Sequence, residues 1–246
     1  KPIVFDAFIS LYDTVVNERK IVSKKSPKAK FLWKIDKYSC LLADLVLLDS
    51  YQHIEYFIRE FRLPRDKFLR VLVGEDDSAF YPIEAKKEST LFEVLFFGSY
   101  ISLHGTEYIV KAAKLLEIYP DIHFTLIGKG QLYSEIYKLA KDIGVKNIDF
   151  IERWLDYPEL KDYISKADVC LGIFGTTEKA KRVIPCKVYD CLAMAKPVIT
   201  GNSPAARELL INKQNAILCE MGNSKAIADS ILLLKSNNEL RQKIAK

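Results

Sequence analysis

The feature of this sequence that most constrains its fold is a regular alternation of short apolar runs with longer segments of helical periodicity. After residue 90 the alternation gives six apolar runs, each followed by a helical pattern. Continuous apolar runs are typical of parallel strands that helices cover on both faces. The sequence therefore predicts an α/β protein with a doubly wound parallel sheet. The predicted strands are 93–97, 123–127, 147–150, 169–173, 197–200 and 216–219, and the predicted helices are 105–118, 131–143, 157–166, 184–194, 204–210 and 224–234.

The first 82 residues carry a shorter version of the same pattern. Strands are predicted at 3–9, 45–48 and 68–73, and helices at 29–42 and 51–61. Residues 74–90 interrupt the periodicity with acidic residues and Pro82, which indicates a linker. We therefore expect a partial N-terminal Rossmann-like domain over 1–82 and a complete C-terminal Rossmann-like domain over 83–246.

The amino-acid composition excludes several classes of protein for this chain. Of the 246 residues 49% are hydrophobic and 28% charged, which excludes wholesale disorder. No run reaches the roughly 18 apolar residues of a membrane span, and no apolar leader follows Lys1, so neither a span nor a signal peptide is predicted. A net charge of +5 without a familiar nucleic-acid motif makes nucleic acid an unexpected partner. Five scattered cysteines without a CxxC pair favour free thiols in the cytoplasm.

A basic segment at residues 19–30 has two interpretations. It contains Arg19, Lys20, Lys24, Lys25, Lys28 and Lys30. It is either a solvated loop or a surface that attracts an anionic acceptor or an anionic membrane face. The second interpretation predicts peripheral contact with a membrane.

Two loops after predicted strands are candidates for ligand binding, because ligands of such sheets bind beyond the carboxyl ends of the strands. Gly98 follows the strand at 93–97, and Gly105 opens the next predicted helix, whose N–H groups can hold a diphosphate. Gly128, Lys129 and Gly130 follow the strand at 123–127 and allow close backbone approach. Glycine in either loop also suits a tight turn, so both interpretations stay open.

Two later segments carry polar candidates. Pro185 suits the first turn of a helix, and Lys187 and Asp190 share one helix face. Lys187 can neutralise a phosphate and Asp190 can accept hydrogen bonds from ribose hydroxyls; the alternative is an ordinary exposed ion pair. Ser203 and Pro204 are predicted as the N-cap and first residue of the helix at 204–210, a purely structural role in the other interpretation.

Several spaced motifs together resemble GT-B glycosyltransferases of the family-4, or group 1, type. In chain order these are SCLLADLVLLDS at 39–50, the Gly-x-Asp-x-x-x-Phe-x-Pro pattern of Gly74, Asp76, Phe80 and Pro82, Gly98 with His104 and Gly105, Pro-x-Lys-x-x-Asp at 185–190 followed by LAMAKPVIT, and ARELL at 206–210. The likeness runs nearly from end to end.

The resemblance implies roles for particular positions. Asp190 matches the second acid of the family's Glu-x7-Glu motif, which holds the donor ribose, while the first acid falls at Arg182. The family's phosphate-binding Arg and Lys fall at Ser99 and His104. Lys187 and Arg182 are expected to supply that charge instead, and His104 to contribute if protonated. The implied donor-binding set is Gly98, Ser99, His104, Gly105, Gly128, Lys129, Arg182, Lys187 and Asp190; the catalytic residue is not assigned.

The implied activity is transfer of a hexose from a nucleotide-diphosphate sugar to a hydroxyl of a glycan or lipid-linked acceptor, with retention of configuration and without a metal ion. A rival hypothesis is an inactive GT-B-like nucleotide-binding or scaffold subunit. A nucleotide-sugar epimerase is a weaker rival, since only three histidines are present. His53 and His123 are expected to be structural, and Asp76 and Asp77 to lie in a solvated linker rather than bind metal.

Overall fold

The computed structural model describes residues 1–83 and 89–245 and divides the chain into two compact units. The division does not follow a single boundary, because two short later segments pack with the N-terminal residues. The first unit contains Lys1–Val73, Thr177–Ile184 and Ser203–Glu208, and the second contains Gly74–Thr176, Pro185–Asn202 and Leu209–Lys246. The chain first passes from one unit to the other after Val73, whereas the sequence predicts a domain boundary after residue 82.

The second unit is built on a parallel sheet whose described strands number six. Their order across the sheet is β6-β5-β4-β7-β8-β9, and every pair is parallel. The predicted doubly wound parallel architecture is confirmed. The strands are β4 Phe92–Phe97, β5 Ile122–Ile127, β6 Ile148–Ile151, β7 Val169–Leu171, β8 Val198–Gly201 and β9 Ile217–Cys219.

Helices with defined caps follow these strands. Asp156 accepts the Glu159 N–H at 3.0 Å and so begins one helix, and Asn223 accepts the Ala226 N–H at 3.0 Å and begins another. Ile109 and Ile231, on two of the helices, are fully buried against strand residues such as Phe124. The helices are α3 Thr106–Leu115, α4 Tyr133–Asp142, α5 Tyr157–Lys166, α6 Cys186–Ala193, α7 Ser224–Ser236 and α8 Asn238–Ile244.

The first unit has a smaller parallel sheet of the order β1-β2-β3. Its core contains Phe57 and Phe61, which are buried beside the strands. The strand predicted at 3–9 is shorter than expected and ends at Asp6, and a π-helical segment follows at Asp13–Glu18. The elements of this unit are β1 Val4–Asp6, α1 Pro27–Leu42, β2 Leu45–Leu48, α2 Tyr51–Phe61 and β3 Phe68–Arg70.

The helix predicted at 204–210 is wrong, and contacts within the first unit give the reason. Ser203 does accept the Ala206 N–H at 2.9 Å, but only a 3₁₀ turn, Ala206–Glu208, follows. The Glu208 carboxylate accepts the N–H groups of Tyr51 and Gln52 at 2.8 and 3.0 Å. It therefore caps the start of α2, a role that satisfies otherwise unpaired N–H groups of that helix.

Part of the predicted linker is packed in the second unit. Phe80 is only 3% exposed, and its ring lies 5.5 Å from that of Tyr157 in an edge-to-face arrangement. Residues 84–88, also in the predicted linker, lie outside the described residues. Within the described part of the chain no helix is long and apolar enough to cross a membrane.

Candidate functional site

A cavity of about 310 Å³ lies at the carboxyl ends of β4, β5 and β6 and at the start of α6. The register aligns Phe97 with Ile127 and Ile127 with Ile151, so these three strands end level with one another. β4 also pairs with β7, which does not follow it in sequence, and the chain therefore changes winding direction here. Ligands of open α/β sheets bind in the crevice at such a point.

Six of the nine predicted donor-binding residues line this one cavity. They come from the loop after β4, the loop after β5 and the first turn of α6. They are Gly98, Ser99, His104, Gly128, Lys187 and Asp190. The prediction that Gly98, Lys187 and Asp190 share a crevice agrees with the structure.

The other three predicted residues are placed elsewhere. Lys129 is exposed outside the lining, and Gly105 packs so closely that a Cβ atom would lie 2.4 Å from the Gly175 nitrogen. Arg182 belongs to the first unit, where its guanidinium pairs with Asp13 at 2.8 Å and lies 4.2 Å from the ring centroid of Tyr56. Arg182 is therefore engaged with its own unit and is not among the lining residues of this cavity.

Two glycines let the cavity form. Gly128 has a φ of 135°, and a Cβ atom there would lie 1.9 Å from the Gly98 carbonyl oxygen. Gly98 has a φ of 142°, and its Cβ atom would lie 2.7 Å from the Lys187 Nζ. Side chains rarely adopt these φ angles. The glycines thus bring two loops together and leave room for the lysine.

Several N–H groups of the loop after β4, where the sequence predicts a cradle for a diphosphate, are already used within the fold. The Gly98 N–H donates to the Ile127 carbonyl at 2.9 Å, and the N–H groups of His104 and Gly105 donate within a 3₁₀ turn to Ile101 and Ser102. These donors are already used in the fold. The cavity instead meets the start of α6, where the helix dipole favours negative charge.

Lys187 is a buried cation in the lining of the cavity. It is only 6% exposed, and its Nζ lies 3.9 Å from the ring centroid of Phe96 with no hydrogen-bond partner among the described residues. Burial lowers the pKa of Lys187 to about 7. Burying a cation without a hydrogen-bonding partner is costly, so this position favours an anionic ligand.

His104 is neutral in the unliganded protein. Burial and then the charge of Lys187 lower the pKa of His104 well below its usual value. Its Nδ1 is bonded to the Ser99 carbonyl, so Nδ1 carries the hydrogen and Nε2 is left as an acceptor. The predicted contribution of a protonated His104 therefore does not hold before a ligand binds.

Asp190 is joined by a carboxyl group that sequence analysis missed. Burial raises the pKa of Asp190 to about 8, and a hydrogen bond that the protonated Asp190 donates to Glu75, together with the charge of Glu75, adds to the rise. Two neighbouring carboxyl groups share a proton more readily than they both ionise. Glu75 went unrecognised because it lies in the predicted linker, whose packing no periodicity reveals.

Replacing Glu75 with glutamine is expected to lower the pKa of Asp190 below 8, because the repelling charge is gone. The value should stay above 3.8, since burial is the larger cause of the shift. A ¹³C-carboxyl NMR titration measures it, with Glu135→Gln on the exposed side of α4 as the control. An unchanged Asp190 titration would show that Glu75 does not act on it.

The loop after β6 supplies further lining residues that the sequence analysis did not single out. Trp154 lines the cavity while 59% exposed, so it presents an indole to any ligand. Arg153 lines it too and donates to Glu159 at 2.6 Å. Their position in the sequence could have indicated them. Both residues follow the third predicted strand, at the sheet edge where the loops after the first two strands also lie.

The remaining candidates are outside this cavity. His53 is fully buried and its Nδ1 lies 2.9 Å from the Asp49 carboxylate. His123 lies on β5 between Glu93 at 3.0 Å and Asp149 at 3.2 Å, and the bond with Glu93 raises the pKa of His123. Both have structural partners, as expected. Across residues 1–83 and 89–245, no three metal-binding side chains are grouped to hold an ion.

Comparison with known proteins identifies the family. The sequence model described as "Glycosyl transferases group 1" matches residues 77–246, well over half of the chain. The protein belongs to this family of group 1 glycosyl transferases.

Relatives and solved structures agree with that assignment. An uncharacterized glycosyltransferase of Haemophilus influenzae is 29% identical over 150 residues, covering 60% of this chain and 40% of that protein. The crystallised C-terminal domain of a group 1 glycosyl transferase from Francisella tularensis is 26% identical, covers 70% of this chain and 93% of that one, and has a TM-score of 0.61.

A third comparison concerns the fold alone. The Anabaena protein HepE, crystallised with UDP and glucose, has a TM-score of 0.77 at 17% identity, covering 100% of this chain and 65% of that one. The five matched curated relatives are covered over 39–55% of their own lengths.

Proposed function

We propose that the second unit binds the nucleoside diphosphate of a sugar donor, and that the protein transfers the sugar to an acceptor hydroxyl. The single observation that carries this proposal is Lys187, a buried cation at the switch point of the sheet, for which residues 1–83 and 89–245 provide no hydrogen-bonding partner. A diphosphate would give its Nζ an anionic hydrogen-bonding partner.

The other lining groups fit the remaining parts of such a donor. The start of α6 adds a favourable dipole for the diphosphate, and the Asp190 carboxyl can bond ribose hydroxyls. Trp154 can cover a base or sugar face. As the bond to the sugar breaks, negative charge grows on the departing diphosphate, and Lys187 stabilises that charge.

The finer parts of the proposal rest on the family likeness. We infer a hexose donor, retention of configuration, a glycan or lipid-linked acceptor, a cytoplasmic setting and no need for a metal ion. The complex of the Anabaena protein with UDP and glucose supports a nucleotide-sugar donor. Product stereochemistry, followed by NMR, tests retention.

Isothermal calorimetry with UDP, GDP and ADP, each in the presence of EDTA, tests the binding step directly. We expect one of the three to bind and EDTA to leave its affinity unchanged. The absence of binding by all three would overturn the proposal. Binding without any sugar transfer or donor hydrolysis would favour the rival role of an inactive nucleotide-binding subunit.

Removing the Asp190 side chain is expected to weaken nucleotide binding. Asp190→Ala should cost about 1–3 kcal/mol of binding free energy, because hydrogen bonds to the ribose are lost. Calorimetry measures this change, and Asp142→Ala, at the exposed end of α4, serves as the control. Equal affinities of the folded Asp190 variant and the wild type would refute the ribose role.

Helix α1 supports the proposed peripheral membrane contact. Phe31 and Leu42 are 62% and 77% exposed on this helix, and Lys28 and Lys34, on either side of Phe31 in the sequence, are exposed as well. Apolar and basic side chains on one surface suit an anionic bilayer. Sedimentation with phosphatidylglycerol vesicles should fall for Lys28→Glu with Lys34→Glu and not for Lys138→Glu on α4; equal sedimentation of both variants would contradict the contact.

A further inference from the structure

We propose that Cys186 is a site of reversible thiol modification, and that a mixed disulfide with a small carboxylate-bearing thiol blocks the nucleotide cavity. The inference rests on the proposed nucleotide binding and adds a means of regulating it. Its chemistry comes from three features of the cavity: an accessible sulfur, a helix start and a buried lysine.

Cys186 differs from the other cysteines in its accessibility. It is exposed and lines the cavity, whereas Cys40, Cys170, Cys191 and Cys219 are all buried. None of the five is in a disulfide. A reagent in solution can therefore reach the Cys186 sulfur while the protein stays folded.

The position of Cys186 favours reaction. It is the first residue of α6, and the next residue is Lys187. Cysteines at helix N-termini and beside lysines are typical reactive thiols, because both neighbours stabilise the thiolate. The sequence thus places the accessible sulfur in an environment that favours the nucleophilic form.

Lys187 independently indicates what the modifying molecule should carry. Its Nζ is buried without a hydrogen-bond partner among the described residues and lies against Gly98, inside the same cavity. This ammonium attracts carboxylates as well as phosphates. Oxidised glutathione, a disulfide with several carboxylates, therefore matches both the sulfur and the cation.

The step is a thiol–disulfide exchange. The Cys186 thiolate attacks one sulfur of the disulfide, a new sulfur–sulfur bond forms, and the second glutathione leaves as a thiolate that takes up a proton. The incoming disulfide is the oxidant, and excess thiol reverses the reaction. The tripeptide left on Cys186 would occupy a cavity of only about 310 Å³ and cover Lys187.

The experiment compares nucleotide binding before and after treatment with oxidised glutathione. The probe is the tightest-binding of UDP, GDP and ADP, and intact mass confirms a single adduct. We expect affinity to fall at least tenfold, to return after dithiothreitol, and the nucleotide to slow adduct formation. In Cys186→Ser the ratio of affinities before and after treatment should be about one, whatever its basal affinity.

Each other outcome has a distinct meaning. Undiminished binding by the singly modified protein overturns the regulatory site and leaves the proposed function standing. Failure of the wild type to form an adduct does the same. Failure of the untreated protein to bind all three nucleotides removes the proposed function, and this inference falls with it.

Discussion

Replacing Lys187 with methionine is expected to make the unliganded protein more stable while removing most of its affinity for a nucleoside diphosphate. The wild-type ammonium is buried and has no hydrogen-bond partner in the part of the chain that the structure describes, so an apolar side chain of similar length relieves a desolvation cost of about 1–3 kcal/mol. The methionine sulfur can keep contact with the Phe96 ring. Loss of the charge–phosphate bonds should weaken nucleotide binding roughly 10- to 100-fold.

The stability gain should depend on pH in a defined direction. The pKa of Lys187 is lowered from 10.5 to about 7 in the folded protein, so the unfolded chain binds the proton more tightly. The cost of Lys187 is therefore full below pH 7 and fades as pH rises toward 10. Denaturant unfolding at pH 6 and pH 9 should show the variant's advantage shrinking.

The control for this substitution is Lys138→Met on the exposed side of α4. That change should alter neither stability nor binding by more than a few tenths of a kcal/mol. If Lys187→Met were less stable than the wild type at pH 6, the lysine would be contributing to folding and not to an anion site.

Gly128→Ala is expected to destabilise the second unit severely and to abolish nucleotide binding. The added Cβ atom would lie 1.9 Å from the Gly98 carbonyl oxygen, and backbone atoms cannot move aside as a flexible side chain can. The φ of 135° adds conformational strain. Together these should cost at least about 3 kcal/mol of unfolding free energy.

Gly144→Ala is a matched control for that change. Gly144 also has a positive φ, 62°, but nothing lies within 4 Å of its Cβ position. It should cost only about 1 kcal/mol, from strain alone. Thermal or urea unfolding of the two variants separates the contributions; similar losses would show that the approach of the two loops is not as close as described.

Much of the fold could be predicted because its signals are local. The strands from β4 to β9 are apolar runs that need only their own residues to be recognised, and parallel pairing follows from the intervening helices. The cavity was predictable for a related reason. Gly98, Gly128, Lys187 and Asp190 all stand at strand ends or at the following helix, where the topology must bring them together.

The site predictions that failed concern residues whose contact partners are distant in sequence. Arg182 pairs with Asp13, and Glu208 caps α2 at Tyr51. The spacing of residues in the sequence does not predict either contact. The Gly98 N–H was expected to meet a ligand, but it donates to the carbonyl of Ile127 at the end of β5. Glu75 reaches Asp190 from a segment without periodicity.

Two segments of the family-matched part of the chain, 177–184 and 203–208, pack with the N-terminal residues. This arrangement has a consequence for protein engineering. A chimera made by joining residues 1–73 to the remainder of a homologue at one junction would inherit the homologue's residues at positions 182 and 208. Where the homologue has no acid at 208, helix α2 would lose its carboxylate cap, and where it has no arginine at 182, Asp13 would be buried without its guanidinium. Recombination within this family must therefore transplant three stretches of sequence together.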